Sequence, residues 1–436
     1  MESMEKTYSR DVKAGKKVVV SGWVSSTRDL GNIKFFLLRD REGMIQVTAK
    51  KGSASDGVRS QIVSLGREDL VSVEGVAVAS KQAPGGREII PEKITVLGKA
   101  ASPLPIDIGE KIESNLDKRL DWRVLDLRNP KNLAIFKVQD ALVGGMTRFL
   151  REKGFLQVFT PCLMGAASES GAQVFPVVYF NKEVYLRQDP QLHRELVIAG
   201  GFDRVYDLGP SWRAEHSHTS RHLCEHRGLA PEFTLKDEGE TMRMEEEMVV
   251  AGVKAVKMDC KEELSLLGVK VSVPETPFPE LRFPKIYDIL EKLGKKIPRG
   301  KEYDTESEKL LADWVKKKKG SDFFFVNRFP YKEKPFYVMR VDDEPEWARS
   351  VDLVYKGLEL SSGGQREHRY DKLIKQVKEK GMNPKSVEWF TKFFKYAVPP
   401  LGGFCVGVER LTMQLLDIKN VREAALFPRT PERCFP

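Results

Sequence analysis

The chain has few cysteines, and no long hydrophobic segment interrupts its 436 residues. None of the five cysteines forms a CxxC pair, which argues against a thiolate zinc site and against a disulfide framework. No apolar run approaches the roughly 20 residues that cross a bilayer, and the polar first residues lack a signal-peptide pattern. The sequence therefore predicts a cytoplasmic protein without membrane attachment. The GxxxxGK[ST] motif is absent too, so no P-loop nucleotide site is predicted.

What is present is the composition of a folded, basic protein. Hydrophobic residues make up 41% and charged residues 31% of the chain, as in soluble globular domains. A chain of this length is expected to form two or three domains. The net charge of +9 permits a polyanionic partner such as nucleic acid, although many basic proteins bind none.

Hydrophobic periodicity divides the chain into a β-rich part and a mixed part. Five β-branched and aromatic runs, separated by turn residues, occupy the first hundred residues, at 16–24, 33–40, 44–49, 70–79 and 88–97. Such a series is typical of a small barrel of the oligonucleotide-binding type. Beyond residue 130, helical and extended segments show few βαβ alternations, which favours an antiparallel α+β domain. We therefore predict an α+β protein with a five-stranded barrel at 1–104, a linker at 105–131 and an α+β domain at 132–436. Helices are expected at roughly 238–258, 305–318, 369–380, 385–396 and 408–416, and strands at 204–212, 322–329, 335–341 and 351–360.

The segment SWRAEHSHTSRHL (211–223) concentrates cations after a predicted strand. Arg213 and Arg221 carry guanidinium groups, which form paired hydrogen bonds with phosphate or carboxylate, so the segment is suited to a nucleotide. The alternative is a zinc site formed by the three histidines of the segment, although their HxHx3H spacing without a nearby thiolate is a poor metal signature. An exposed polar hairpin is the third interpretation.

Two glycine-containing segments add complementary chemistry. In GLELSSGGQREH (357–368), Glu359 and Ser362 can offer oxygen ligands to a hard cation such as Mg²⁺. In GGFCVGVERLTMQLL (402–416), the entry into an amphipathic helix offers backbone N–H groups to an anion beside Arg410. Taken singly, a β-bulge and an ordinary helix start are the simpler explanations.

Three segments resemble, in chain order, motifs 1, 2 and 3 of the class II aminoacyl-tRNA synthetases. They are an extended segment that ends at Pro161, the RAE…RH loop and the GVER helix. SESGAQVFPVVYF, QDPQLHREL, GFDRVYDLGPSWRAE, SSGGQREH and VREAALFPRTPERCFP narrow the resemblance to aspartyl-tRNA synthetases of the archaeal or eukaryotic type. The resemblance implies a six-stranded antiparallel catalytic sheet, an anticodon-binding barrel and a homodimer paired through the motif 1 helix. It also implies that aspartate and Mg-ATP form aspartyl-adenylate, whose aspartyl group passes to the 3′ end of tRNA-Asp.

The resemblance further implies roles for the residues that match the family's motifs. Arg213 and Arg410 would be catalytic, since they would stabilise charge that develops at the phosphates. Glu359 and Ser362 would bind Mg²⁺. Aspartate would contact Glu169, Gln191, Leu192, His193, Arg194, Arg213, Ser362 and Arg366. ATP would contact Arg213, Ala214, Glu215, Arg221, His222, Leu223, Glu359, Gly407, Val408, Glu409 and Arg410. In the barrel, anticodon recognition and tRNA discrimination would involve Arg28, Phe35, Gln46 and Pro84.

Several positions of the expected amino-acid pocket depart from the family pattern. Arg194 stands where lysine is usual, and Asp189 stands where serine is usual. Ala230 replaces an aspartate that takes the substrate's ammonium group, and Leu401 and Cys405 replace histidine and glycine. These changes leave the ATP motifs intact and bear on the identity of the amino acid.

Three questions of function stay open at this point. An asparaginyl-tRNA synthetase shares the architecture, but the cation at Arg194 favours aspartate, because a desolvated carboxylate needs a countercharge and an amide does not. Pro84 either matches the relaxed form that also charges tRNA-Asn or is simply part of a Pro-Gly turn. The altered pocket also allows a paralogue that binds tRNA or nucleotide without aminoacylation, or one that releases a small product.

Overall fold

The computed structural model describes residues 5–109, 114–165, 174–214 and 219–436. The chain forms two compact units, Met1–Leu133 and Ala134–Pro436. The domain boundaries drawn from the sequence, 1–104, 105–131 and 132–436, stay a prediction. Within the described ranges, no helix is both long and apolar enough to cross a membrane.

The first unit contains the predicted barrel. Its strands are β1 (Lys17–Asp29), β2 (Ile33–Asp40), β3 (Gly43–Lys50), β4 (Leu70–Ala79) and β5 (Arg87–Gly98). They close in the order β1-β2-β3-β5-β4, which confirms the five-stranded barrel. Because side chains alternate along a strand, Val18, Val20 and Val24 of β1 point into one apolar core. Helix α1 (Asp56–Ser64) packs Val58 and Ile62 into the same core, and α2 (Leu116–Asp121) and α3 (Arg123–Asp126) complete the described helices of this unit.

A mixed sheet forms the centre of the second unit. Its strands are β6 (Leu156–Gln157), β10 (Arg204–Trp212), β11 (Glu225–Thr234), β12 (Glu280–Arg282), β13 (Phe323–Asn327), β14 (Ser350–Tyr355), β15 (Leu358–Gln365) and β16 (Leu401–Gly407). The order is β12-β13-β14-β15-β16-β11-β10-β6, and the six inner strands, β13 to β10 in this order, pair with one another only in antiparallel orientation. The outermost strands β6 and β12 pair parallel with their neighbours. The α+β class is thus confirmed, with two strands added to the expected six. Three further strands, β7 (Leu163–Met164), β8 (Pro176–Tyr179) and β9 (Lys182–Leu186), form a small separate sheet.

Helices pack against both faces of the large sheet. On one face lie α4 (Pro130–Glu152), α6 (Glu238–Asp259), α7 (Lys261–Leu267) and α12 (Val408–Leu415). On the other face lie α5 (Gln191–Val197), α8 (Lys285–Lys292), α9 (Thr305–Lys319), α10 (Tyr370–Glu379) and α11 (Glu388–Thr391). Leu142 and Met146 of α4 and Val253 of α6 share the main core with sheet residues such as Leu353. The two helices approach closely at Gly252, where a Cβ would lie 2.7 Å from the Cγ of Met146. Residues that alternate with this core point to the other face of the sheet.

Three expected elements of the second unit differ in the structure. The strand predicted at 351–360 is wrong as one element, because a turn at Lys356 and Gly357 divides it between the antiparallel strands β14 and β15. The strand predicted at 335–341 is wrong, because these residues form isolated bridges, such as Val338 with Arg366, instead of a ladder. The helix predicted at 385–396 is reduced to α11 and the 3-10 turns Pro384–Val387 and Lys392–Tyr396. The remaining predicted helices are found within one or two residues of their expected bounds.

Candidate active site

A cavity of about 400 Å³ opens on the face of the sheet away from α4 and α6, within the size range of small-molecule sites. Of the predicted site residues, those that line it are Gln191, Arg213, Arg221, His222, Leu223, Glu359, Ser362, Arg366, Gly407, Glu409 and Arg410. The structure therefore brings together residues from all three segments that the sequence singled out.

Three of the four arginines that line the cavity, Arg213, Arg221 and Arg410, lie at one end of it. Arg213 directly follows β10, and its backbone N–H donates to the carbonyl of Cys224 (2.9 Å), which fixes the start of the loop. In the first turn of α12, Arg410 donates from Nε to the carbonyl of Arg221 (3.3 Å) and from Nη1 to the carbonyl of Glu359 (3.2 Å). Burial, and then Arg213 and Arg410, lower the pKa of the nearby His226 to about 4. This end of the cavity is therefore positive and suited to a polyanion.

Helix α9 holds Arg221, a contact that the sequence did not predict. The Nη1 of Arg221 lies 3.3 Å from the Oε2 of Glu308, and its Nη2 contacts the hydroxyl of Thr305. The other carboxyl oxygen of Glu308 accepts the backbone N–H of Glu359 at 2.5 Å. Burial, and then the charge of Glu359, raise the pKa of Glu308 to about 7. The start of α9 thus positions the arginine and the acidic strand together.

Oxygen ligands lie across the cavity on β14 and β15. Asp352 and Ser362 are directly opposite each other in the antiparallel register, which shifts by one residue between Leu353 and Val354. Such a bulge changes the alternation of side chains, so Glu359 and Ser362 both line the cavity although three positions separate them. The sequence missed Asp352, which lies in the fully buried strand SVDLVY. A carboxylate inside an apolar strand was the available signal.

These oxygen atoms fit a divalent cation that is shared with a phosphate. The Oδ1 of Asp352 is buried and has no hydrogen-bond partner among the described residues. Burial raises the pKa of Asp352 to about 7, although Lys334 opposes the shift. In the described part of the chain, no three His, Cys, Asp or Glu side chains form a complete metal cage. Mg²⁺ is commonly held by one or two carboxylates together with substrate phosphates and water, and this set matches that pattern.

The other end of the cavity contains a buried charge network. The Nε of Arg366 donates to Glu232 (3.0 Å), and its Nη2 donates to Gln191 (2.9 Å) and to the carbonyl of Gly403 (3.0 Å). Glycine is required at 403, because a Cβ would lie 2.2 Å from the backbone carbonyl oxygen of Pro231. Arg194 is completely buried and donates from Nη2 to Gln191 (2.6 Å), whereas its Nε and Nη1 have no hydrogen-bond partner within the described ranges. Arg366, which lines the cavity, is thus linked through Gln191 to a second buried arginine, and this positive end of the cavity suits a carboxylate ligand.

A second carboxyl group, Glu195, is buried in the same network. Its Oε1 accepts a hydrogen bond from Gln191 (2.9 Å), and its side chain is not exposed. Burial, and then the neighbouring Glu232, raise the pKa of Glu195 to about 8. This shift favours the protonated, neutral form of Glu195, which leaves the positive charge of Arg194 and Arg366 less compensated.

Some predicted site residues lie elsewhere. Leu192 belongs to an apolar cluster beside α5, His193 packs against the ring of Trp389 at 5.4 Å, and Val408 lies in the main core. Arg194 and Ala214 do not line the cavity. Glu409 does line it, but its carboxylate already accepts the backbone N–H of Arg227 (3.0 and 3.1 Å). Glu169 and Glu215 lie outside the described residues, as do His216 and His218 of the zinc alternative. The ligand roles of all these residues stay predictions.

The barrel carries its predicted residues on one outer surface. Arg28 of β1 lies opposite Phe35 of β2, which in turn lies opposite Thr48 of β3. Gln46, two residues before Thr48, faces the same side. Its Nε2 donates to Thr48 and to Glu88 (3.0 Å each), so its amide oxygen is the atom left to accept from a ligand. The sequence did not predict that Glu88 orients this amide.

Pro84 lies in the turn between β4 and β5. It is exposed and begins the 3-10 turn Pro84–Gly86. Gly85 and Gly86 have φ values of 70° and 73°, a left-handed conformation that glycine adopts without strain. The turn explanation is therefore sufficient for the local sequence, and a role in tRNA selection stays a prediction.

Comparison with known proteins connects both units to one family. A model of class II tRNA synthetases (D, K and N) matches residues 115–431, and a model of OB-fold nucleic acid binding domains matches residues 18–97. The aspartate–tRNA(Asp) ligase of Pyrococcus horikoshii is 44% identical over 433 residues, covering 98% of this chain and 99% of that protein. The aspartate–tRNA(Asp/Asn) ligase of Archaeoglobus fulgidus is 40% identical over 434 residues, covering 99% and 100%.

Solved structures show the same architecture. Asparaginyl-tRNA synthetase from Pyrococcus horikoshii, complexed with asparaginyl-adenylate, superposes with a TM-score of 0.93 at 35% identity and covers 100% of both chains. Aspartyl-tRNA synthetase from Entamoeba histolytica superposes with a TM-score of 0.89 at 28% identity, covering 99% of this chain and 93% of that chain. The backbone thus matches proteins with either amino acid in their names, and the site chemistry has to distinguish them.

Proposed function

We propose that this chain is an aspartate–tRNA ligase that uses ATP and Mg²⁺. The premise is that the chain belongs to the class II tRNA synthetases (D, K and N). Full-length relatives at 40–44% identity that carry this name support the proposal. The observation that carries it is the convergence of Arg213, Arg221 and Arg410 with Asp352 and Glu359 around one cavity.

The first half-reaction joins aspartate to ATP. An oxygen of the α-carboxylate attacks the α-phosphorus, the bond to the β-phosphate bridging oxygen breaks, and pyrophosphate leaves. We assign Arg213 to the α-phosphate, where negative charge develops, and Arg221 and Arg410 to the outer phosphates. Asp352, Glu359 and Ser362 would hold Mg²⁺, which supplies further neutralisation of the phosphates when bound. The attacking group is already a carboxylate, so positioning and charge neutralisation contribute most of the acceleration.

The amino-acid end of the cavity favours aspartate over asparagine. Arg366 lines the cavity, and the fully buried Arg194, which does not line it, is linked to Arg366 through the amide oxygen of Gln191 and adds a second positive charge to this end. A carboxylate neutralises the charge of these arginines, whereas an amide is neutral and leaves that charge uncompensated. The second half-reaction transfers the aspartyl group to a 3′-terminal hydroxyl of the tRNA, and AMP leaves.

The proposed partners are tRNA-Asp, bound through the surface of Arg28, Phe35 and Gln46, and a second copy of the chain. Charging of tRNA-Asn is a second candidate, because one relative is named for both tRNAs and Pro84 occupies an exposed turn. A dimer is supported by exposed apolar side chains after α4, since Leu156 and Phe159 are 55% and 85% exposed. We place the protein in the cytoplasm, where its proposed substrates meet.

The test is parallel charging of purified tRNA-Asp and tRNA-Asn with aspartate and with asparagine, together with ATP–pyrophosphate exchange. We expect exchange with aspartate and charging of tRNA-Asp. Arg213→Ala should abolish exchange, whereas Arg243→Ala, a change to an exposed arginine of α6, should leave it intact. Exchange with asparagine alone would identify an asparaginyl enzyme. Absence of exchange in a folded protein that binds ATP would identify a paralogue that does not aminoacylate.

A further inference from the structure

A lysine lies among the carboxylates to which the divalent cation is assigned. Among the described residues that line the cavity, Lys334 is the only lysine, and it directly follows the 3-10 turn Tyr331–Glu333. Its Nζ lies 2.8 Å from the Oε1 of Glu302 and 3.7 Å from the Oδ2 of Asp352. The reaction as assigned above gives this ammonium group no role.

The surroundings of Lys334 hold its ammonium group beside these carboxylates. The side chain is only 10% exposed, and its Nζ lies 3.7 Å from the centre of the Phe329 ring, a contact that favours a cation. Within the described ranges, neither Asp352 nor Glu302 has another ion-pair partner. Lys334 therefore supplies the countercharge of both carboxylates.

This countercharge makes Asp352 a weak ligand for a free divalent cation. The side chain of Asp352 is 8% exposed and lines the cavity, and its Oδ1 has no hydrogen-bond partner among the described residues, so that oxygen is available to a ligand. A divalent cation at Asp352 would share its carboxylate with the ammonium group, and two positive charges so close together repel each other. Mg²⁺ also loses its hydration water reluctantly and is commonly held together with substrate phosphates.

We infer that Lys334 acts through Asp352 as a positioning residue and makes binding of the divalent cation depend on bound nucleotide, an inference that rests on the metal site of the proposed function. Without nucleotide, the ammonium group compensates Asp352 and Glu302 and disfavours the cation. The outer phosphates assigned to Arg410 reach the same carboxylates, because Arg410 contacts the backbone of Glu359. Their negative charge offsets that of the ammonium group, and the cation binds together with ATP.

Binding of Mn²⁺ to the full chain without ATP or tRNA, followed by electron paramagnetic resonance at pH 8, tests this inference. Mn²⁺ is the probe because it takes the same oxygen ligands as Mg²⁺. Lys334→Met should bind Mn²⁺ about tenfold or more tightly than wild type, on the scale of one like charge removed at this distance. Lys334→Arg keeps the charge and should bind Mn²⁺ as weakly as wild type. The matched control is Lys332→Met, a change to an exposed lysine of the same turn, which should leave the affinity unchanged.

Removal of the assigned ligand identifies the site that gains affinity. Lys334→Met combined with Asp352→Asn should lose the added Mn²⁺ binding, and its persistence would place the site elsewhere and overturn the inference. Unchanged Mn²⁺ affinity in Lys334→Met, together with weaker ATP binding, would identify Lys334 as a phosphate ligand instead. If Lys334→Met does not fold, wild type decides, because tight Mn²⁺ binding without ATP that Asp352→Asn removes would contradict the inference. The proposed function fails separately, by absence of aspartate-dependent exchange and tRNA charging, neither of which enters the binding measurement.

Discussion

Replacement of Glu195 by glutamine should remove a specific pH dependence of stability. Glu195 is completely buried, and its pKa is raised to about 8 from an ordinary 4.5, first by burial and then by Glu232. Between these two pKa values, the unfolded chain releases a proton that the folded protein retains. Folding stability from this group is therefore fully present below about pH 4.5 and is lost as the pH rises, until the folded carboxyl also ionises near pH 8.

The magnitude follows from the size of the shift. Each pH unit between the two pKa values changes the free energy of unfolding by about 1.4 kcal/mol. From pH 6 to pH 8 the wild-type protein should lose roughly 2 kcal/mol through Glu195, since the slope flattens near the folded pKa. Glutamine retains the acceptor for Gln191 and cannot ionise, so the variant should lack this loss.

Urea unfolding of wild type, Glu195→Gln and Glu388→Gln at pH 6, 7 and 8 measures the effect. Glu388 is an exposed residue of α11, and its replacement is the control for removal of a carboxylate. We expect the stability difference between Glu195→Gln and wild type to shift by roughly 2 kcal/mol in favour of the variant from pH 6 to 8. A difference that stays constant across this range would show that Glu195 is ionised in the folded protein, and the description of the pocket as a carboxylate site with excess positive charge would be wrong.

Three further predictions concern the metal, the anticodon and the choice of tRNA. Asp352→Asn should raise the Mg²⁺ concentration for half-maximal ATP–pyrophosphate exchange by about tenfold or more, because a charged ligand becomes neutral; an unchanged Mg²⁺ requirement would exclude Asp352 as a ligand. Phe35→Ala should weaken tRNA binding by about 1–3 kcal/mol, the usual contribution of one stacked base, without changing ATP–pyrophosphate exchange; loss of both would indicate a folding defect. Pro84→Lys should reduce charging of tRNA-Asn more than charging of tRNA-Asp; equal effects on both tRNAs would remove the role in selection.

Much of the fold was readable from local sequence. The barrel strands at 33–40 and 70–79 coincide with the predicted runs, and α6 and α9 begin at their predicted residues. These elements have one alternating or helical face that is buried, which is the property that periodicity detects. The segment 335–341 misled the same reasoning, since Phe336, Tyr337, Val338 and Met339 are all buried and the burial does not come from a sheet ladder.

The sequence predicted only part of the site, namely the residues that lie in recognisable local segments. The arginines of the segments 211–223, 357–368 and 402–416, together with Glu359 and Ser362, were predicted from the sequence, and the structure places them around one cavity. Asp352 and Glu308 acquired their relevance only from the tertiary structure. Asp352 faces Ser362 across a strand pair, and Glu308 reaches Glu359 from a helix fifty-one positions away.

The amino-acid sequence by itself determined which segments become strands and helices and which carry phosphate-binding cations, because those properties depend on neighbours within a few residues. Only the tertiary structure decided which carboxylates are buried without partners and which arginines retain unused donors. Burial and hydrogen bonding of a charged group depend on residues that are distant in the chain, and these two quantities set its pKa and the ligand that it can bind.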